Sequence, residues 1–414
     1  MNGSSLSVKQ NMLWNTIGCL FYQGCLWLMT VAVVLVSHDY ANSGILAFAM
    51  SVGNIYYPFA TYNMRTIQVS DLREEHSSSE YIAFRFITIG LAFIPIVGYL
   101  FLSTSNSRLI VSAIFWLLFK ADEAFCSVFY AMVQKEGRMD YIGISQAIRG
   151  LGGLVLFLLP LVFGLSINYA FLSLAIFCCF ITWLFDARSA SNFGKIVPSI
   201  SFHQALVLIK KYFPSVLTAV FFGAVVSVSR QQLAQLKGTE ALGVYAAVST
   251  PTVLVQAAAS YLYGPLLVGF AEIWSKHEYV SFAQRYGKVI SCICLFTLLA
   301  IVFCSLFGDN LLQAVFGSSI SQGFDLLIPA IIATAFTTIF AFSFDLLILI
   351  REIRGSFIAT SAALLISYLC SASLISRFGA NGVSIAVIVS YSVGMLIALS
   401  FFYQRLKSNL KFKH

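Results

Sequence analysis

Six ionisable side chains stand inside long apolar stretches of this 414-residue chain: Lys120, Asp122 and Glu123 in one, Arg149 in the next, and Arg230 and Asp345 further on. At bilayer depth such a group costs at least about 2.5–3.5 kcal/mol, so it persists where it meets a polar interior, a partner or a ligand. Lys120 and Glu123 share a helix face, whereas Asp122 is turned by about 200° from Lys120. Glu123 and Arg149 lie at similar depth from the short loop Gln134–Asp140, so an antiparallel helix pair brings Arg149 level with Asp122 and Glu123. Two readings stay open: an ion-pair network that ties helices together, or a cavity that binds an anionic group. Three cations come from three helices, and Arg230 has no acid at its own depth; guanidinium groups grip phosphate or a uronic acid bidentately. Asp345 is a lone carboxylate six residues before Arg351; it snorkels, pairs with Arg351 or Arg354, or carries a proton. Arg65 and Arg85 stand at helix ends, where snorkelling accounts for them, with direct substrate contact the alternative.

Other chemistries find little support. The five His (38, 76, 203, 277 and 414) lie in loops or at the ends. The sequence contains no HExxH, no Asp-x-Asp and no phosphate loop, so neither a catalytic constellation nor a resident metal or cofactor is expected. Gly150-Leu-Gly152-Gly153 reads as a close helix-packing patch rather than a phosphate cradle. The nine Cys all fall in apolar runs and read as small buried hydrophobes, without a second ligand pair beside Cys178-Cys179 or Cys292-x-Cys294.

The elements that must position these residues follow from composition. The chain is 59% hydrophobic and only 10% charged, against roughly 25% charged for a soluble domain. This specifies an all-α polytopic membrane protein. Apolar windows predict twelve helices near 13–36, 43–64, 82–102, 109–133, 141–163, 169–185, 212–236, 243–270, 289–307, 326–350, 357–375 and 383–403. Prolines 58, 95, 160, 251, 265 and 329 fall inside them. With the N-terminus inside, the inner segments carry eighteen Lys and Arg, Arg73 and Lys413 among them; the outer ones carry Arg108, Lys237 and Arg377. That bias puts both termini in the cytoplasm, and the +8 net charge reflects it rather than a nucleic-acid partner. The longest inner loop divides the chain into a six-helix lobe at 1–186, a linker at 187–211, a second six-helix lobe at 212–403 and a basic tail at 404–414. Gly44-Ile-Leu-Ala47 is echoed by Gly243-Val-Tyr-Ala246, and Glu80-Tyr81-x-x-Phe84 by Glu278-Tyr279-x-x-Phe282. Such parallel repeats are a transporter-like plan.

Several stretches resemble the bacterial polysaccharide flippases, of the superfamily that includes multidrug and toxin extrusion exporters and lipid II flippases. They are Met64-Arg-Thr-Ile-Gln-Val-Ser-Asp71; Phe119-Lys-Ala-Asp-Glu-Ala-Phe125, running on through Tyr130-Ala-Met-Val-Gln-Lys135 to Arg138 and Gly143; Leu242-Gly-Val-Tyr-Ala246 with Thr250-Pro251 and Gln256; and Arg351-Glu-Ile-Arg-Gly355. The resemblance implies a V-shaped bundle of two six-helix lobes around a central cavity, working by alternating access in the bacterial plasma membrane. It implies transfer of undecaprenyl-diphosphate-linked oligosaccharide units from the inner to the outer leaflet, for capsule, O-antigen or another surface polysaccharide. The polymerase and chain-length machinery of such a pathway are candidate partners. On this reading Arg149, Arg230, Lys120 and Arg65 contact substrate, while Asp122, Glu123 and Asp345 serve structure or coupling. The competing readings are a drug or organic-cation antiporter on the same fold, expected to have a net acidic cavity, and a membrane-embedded glycan polymerase or acyltransferase, expected to have a catalytic outer loop.

Overall fold

The computed structural model describes residues 6–37, 39–71, 75–263 and 266–411. His38, Arg73, Pro265, Lys413 and His414 lie outside them, as do the side chains of Thr250, Pro251 and Gln256. All regular structure among the described residues is helical. Nine helices there are long and apolar enough to cross a membrane; the chain is a multi-pass membrane protein.

The chain forms two compact units, Met1–Val220 and Phe221–His414. The first holds α1 (Val8–Ser37), α2 (Ala41–Thr61), the short α3 (Met64–Ser70), α4 (Ser78–Ser103), α5 (Ser107–Lys135), α6 (Met139–Val162), α7 (Ile167–Ile181) and α8 (Arg188–Ala190). A π-helical turn, Thr182–Ala187, joins the last two. Helix α9 (Phe202–Tyr263) begins in the first unit and continues in the second. There it is followed by α10 (Leu266–Ser275), α11 (Tyr279–Phe316), α12 (Leu327–Leu349), α13 (Ile353–Phe378) and α14 (Asn381–Lys411).

Local chemistry starts and stops these elements. Ser77 and Glu80 form a reciprocal capping box at the head of α4, satisfying two backbone donors that the first turn leaves orphaned. Asn106 caps α5 and Ser166 caps α7. Pro58, Pro95 and Pro160 sit inside α2, α4 and α6. Helix α9 is 62 residues long and turns into a second run at Gly238, whose φ of +87° is open to glycine and costly for other residues.

Two expected boundaries move. Residues 202–211, expected as linker, are helical and continuous with the seventh run. The ninth run, expected at 289–307, extends over 38 residues as α11. Hydropathy sees the apolar middle of a helix, but buried Tyr279 and Phe282 hold its polar first turns in place as well.

Each unit has its own core. In the first, Tyr62, Phe84, Phe125, Phe129 and Ile142 pack with Leu208 and Val216 from the head of α9. In the second, Phe270, Phe282, Phe340, Phe342 and Tyr391 lead the cluster. Helices α1 and α6 approach through Gly18 and Gly143, where a Cβ on Gly18 would fall 2.5 Å from the Gly143 Cα. The Gly150–Gly153 patch packs as expected: Gly150 faces Cys25 and Tyr22 of α1, while Gly152 and Gly153 face Phe177 and Leu174 of α7.

Candidate functional site

Helix α5 carries its three mid-helix charged residues, Lys120, Asp122 and Glu123, on two faces, as the spacing requires. On one face Lys120 donates to Glu123 at 2.6 Å, and its ammonium lies 5.1–5.5 Å from the ring centres of Tyr57, Trp116 and Phe119. Tyr22 of α1 donates to the other Glu123 oxygen at 3.2 Å.

On the opposite face Asp122 meets Arg149 of α6 at 2.8 Å. Arg149 is only 3% exposed and reaches a second carboxylate, Asp186, at 3.1 Å. Thr182 accepts from Arg149 and donates to Asp122 at 2.7 Å. The Cys126 thiol donates to Asp186 at 3.2 Å, so this cysteine is more than a small hydrophobe. One guanidinium therefore serves two carboxylates, a threonine bridges them, and the low dielectric strengthens every contact.

Asp186 and Thr182 escaped the sequence reading because the sixth hydropathy run ends at residue 185, which left Asp186 as the first residue of a loop. The π-turn Thr182–Ala187 keeps it inside and buried. An acid directly abutting an apolar run was the available signal; π-turns of this kind recur at functional sites.

Beside this network lies a cavity of about 140 Å3. Helix α1 contributes Tyr22 and Gln23, α2 contributes Tyr57, α5 contributes Glu123, Cys126, Ser127 and Tyr130, and α6 contributes Gln146 and Arg149. Arg65 of α3 completes it. Its position depends on a break after α2: Tyr62 and Asn63 both adopt left-handed backbone, at φ +51° and +53°, a conformation uncommon outside glycine. Buried Tyr62 holds that break by donating to the Ile209 carbonyl at 3.0 Å. The Arg65 side chain then donates twice to Gln134 Oε1, at 3.2 and 2.9 Å, and lies 5.6 Å from the Tyr130 ring centre. Among the described residues Arg65 has no carboxylate partner.

Arg85 corrects the sequence reading. It does not snorkel but is fully buried, donating at 2.8 Å to the Ala60 carbonyl, which Thr88 also reaches at 2.8 Å. The guanidinium thus satisfies an orphan acceptor in the last turn of α2, where the left-handed break stops the helix from supplying one. The cysteines are corrected in part: all nine are free, but Cys179, Cys292 and Cys294 are exposed, facing outward from helices that are lipid-facing by composition.

In the second unit Arg230 is half-buried on α9 and lies 5.9 Å from the ring centre of Tyr245. Its Nε is buried without a hydrogen-bond partner, and it forms no ion pair among the described residues. Tyr245 itself shares a 3.2 Å hydrogen bond with Ser384. Asp345 is half-buried near the end of α12. The sequence-predicted charges thus separate into the cluster Lys120, Asp122, Glu123, Arg149 and Arg65 in the first unit, and Arg230 and Asp345 in the second.

Comparison with solved structures assigns the architecture. The chain superposes on the lipid II flippase MurJ in an inward closed conformation with a TM-score of 0.74, at 13% identity, covering 94% of this chain and 87% of that one. It has the fold of the MOP superfamily transporters. A multidrug resistance MATE family transporter of that superfamily matches in its inward-facing conformation with a TM-score of 0.67 at 13% identity, over 99% and 97% of the two chains. A multidrug resistance MATE family transporter in an outward-facing conformation gives 0.57 at 14% identity, over 97% and 94%. In sequence, the chain is 22% identical over 366 residues to the capsular polysaccharide biosynthesis protein CapF of Staphylococcus aureus, spanning 87% of this chain and 90% of that protein. No family model matches. Within this MOP-type fold, the motif Met64–Asp71 corresponds to α3 and its exit, and the Phe119–Lys135 motif supplies one wall of the cavity.

Proposed function

We propose that the chain is a flippase that carries undecaprenyl-diphosphate-linked oligosaccharide units from the inner to the outer leaflet of the bacterial plasma membrane by alternating access. The observation that carries the reading is the cavity of the first unit. It presents Arg65, a cation without a carboxylate partner among the described residues, beside three tyrosines, two glutamines and a serine. Hydroxyls and amides suit the many donors and acceptors of a sugar, and a guanidinium whose charge no carboxylate neutralises suits phosphate or a uronic acid. An organic-cation antiporter would be better served by an excess of acid: Asp122, Glu123 and the buried Asp186 are already engaged by Arg149 and Lys120. The relation to a capsular polysaccharide protein and the likeness to a lipid II flippase support the same substrate class. On this reading the chain is a transporter rather than an enzyme, and the site needs no cofactor.

In vesicles loaded with the lipid-linked glycan, Arg65→Ala should lower translocation by about tenfold or more, the worth of a lost charged hydrogen bond. Protein level should stay near that of the parent, and Arg65→Lys should recover only part of the rate because it loses the fork. Full translocation by Arg65→Ala would remove this cavity from the substrate path. Asp345, half-buried near the end of α12, is the proposed coupling carboxylate, with snorkelling or local pairing the alternative. Asp345→Asn should abolish the response of translocation to an imposed pH gradient; a response equal to that of the parent assigns coupling elsewhere.

A further inference from the structure

The second unit carries a basic pocket that the transport reading leaves unused. It opens where α10 turns into α11 and encloses about 410 Å3. Lys276, Arg285 and Lys288 line it together with Glu272 and Glu278, three positive charges against two negative. Among the described residues none of these five side chains is in an ion pair. Gly269 makes room for the arrangement: a Cβ there would fall 2.6 Å from the Arg285 Nη1, so the guanidinium lies against the α10 backbone.

Two features beside the pocket point to its occupant. Trp274 packs edge-on against Tyr279 and Phe282, with ring centres 5.2 Å apart in both cases. Trp and Tyr concentrate at the level of lipid headgroups, where one end of the ring is apolar and the other wet. Helix α11 then leaves the pocket as a poorly covered span, with 11% of its most apolar window buried. Stepping along it from Lys288, residues Cys292, Leu295, Leu299, Val302 and Leu306 are all exposed and form one stripe. The stretch from Lys288 to Leu299 rises about 16 Å, close to one leaflet of a hydrocarbon core about 30 Å thick. A cationic cradle at one end of an apolar stripe of that length matches a phosphate joined to acyl chains.

We propose that this pocket binds the phosphate of an acidic glycerophospholipid, with the acyl chains lying along the exposed stripe of α11. The Lys and Arg bias of the loops puts this junction on the inner side, where anionic lipid is drawn to basic side chains. The assignment does not depend on what the protein transports. Inorganic phosphate shares the headgroup chemistry but has no use for the stripe.

The purified full chain, held in phosphatidylcholine nanodiscs, is titrated with phosphatidylglycerol and separately with inorganic phosphate, and bound lipid is counted by native mass spectrometry. The parent should retain phosphatidylglycerol over phosphatidylcholine. The double variant Arg285→Ala, Lys288→Ala should weaken that retention on the order of tenfold or more, about fivefold for each cation. Glu272→Gln removes a carboxylate while keeping all three cations; it should tighten retention, and it serves as the second reading should the double variant misfold. Retention unchanged in both variants overturns the proposal. So does equal retention of phosphatidylcholine, or inorganic phosphate binding to the pocket as tightly as the lipid does.

Discussion

In the first unit Arg149 is locked between Asp122 and Asp186 and bridged by Thr182, whereas in the second Arg230 meets the face of Tyr245 and leaves its Nε without a partner. The neighbourhoods differ in the same sense. Around Arg149 the polar contacts are ionic. Around Arg230 they are neutral hydroxyl bonds: the adjacent Ser229 reaches Ser367 at 3.0 Å and Ser371 at 2.8 Å, and Tyr245 pairs with Ser384 at 3.2 Å. A buried ion network makes each member costly to remove, since the partner left behind keeps its desolvation penalty. A cation resting on an aromatic ring is replaceable at little structural expense. The first unit therefore sets a strut, Arg149, beside the cavity cation Arg65, while Arg230 of the second unit bears little structural load.

The largest effect should come from breaking the strut. Arg149→Ala leaves two carboxylates buried without their counter-ion, which costs about 3–5 kcal/mol. Thermal unfolding in detergent should show a strongly lowered midpoint, with reduced membrane abundance. Adding Asp122→Asn and Asp186→Asn in the same chain should restore much of the loss, because no buried charge is then left alone. Near-parental stability of Arg149→Ala with transport lost would make Arg149 a site residue only, and the contrast between the units would collapse.

Arg230→Ala sharpens the contrast from the other side. A cation–π contact at a half-buried position contributes about 0.5–2 kcal/mol, so the unfolding midpoint should move far less than for Arg149→Ala. Translocation of lipid-linked glycan should nevertheless fall, with partial recovery in Arg230→Lys. A stability loss matching that of Arg149→Ala would show that Arg230 is also a strut.

The smallest effect is expected where α3 leads into α4, outside the membrane-spanning helices. Burial pushes the Asp71 carboxyl upward, but the backbone N–H groups of Glu75 and His76 and the Tyr81 hydroxyl outweigh it and hold the group below its usual range. A depressed folded value contributes stability that is fully present above the unfolded value near 4 and is lost as pH falls through the folded one. Asp71→Asn should therefore be destabilised at neutral pH by less than about 1 kcal/mol, given its partial exposure. The difference from the parent should close as the pH is taken well below the ordinary carboxylate range, through the depressed folded value. A gap that persists unchanged into acid would mean that the three donors act on Asp71 without regard to its charge.

The helical membrane architecture was legible in the sequence because apolar length and scarcity of charge leave few other ways to satisfy the backbone in lipid. The two faces of α5 were legible as well: a separation of three residues pairs Lys120 with Glu123, and a 200° turn sends Asp122 the other way. Hydropathy could not place Asp186, because a π-turn changes which residue faces inward without changing the composition. Nor could it give Arg85 its burial, which depends on the α2 carbonyl freed by left-handed Tyr62 and Asn63. By itself, then, the sequence determined the class of the protein, its candidate spans and the helix faces on which its charges stand, since these follow from local periodicity and from what a bilayer excludes. Only the tertiary structure decided which charges meet: that Arg149 is shared by two acids, that Arg65 is left to line a cavity, and that Arg230 rests on a ring. Pairing depends on the register and close approach of helices distant in sequence, and no local pattern carries that information.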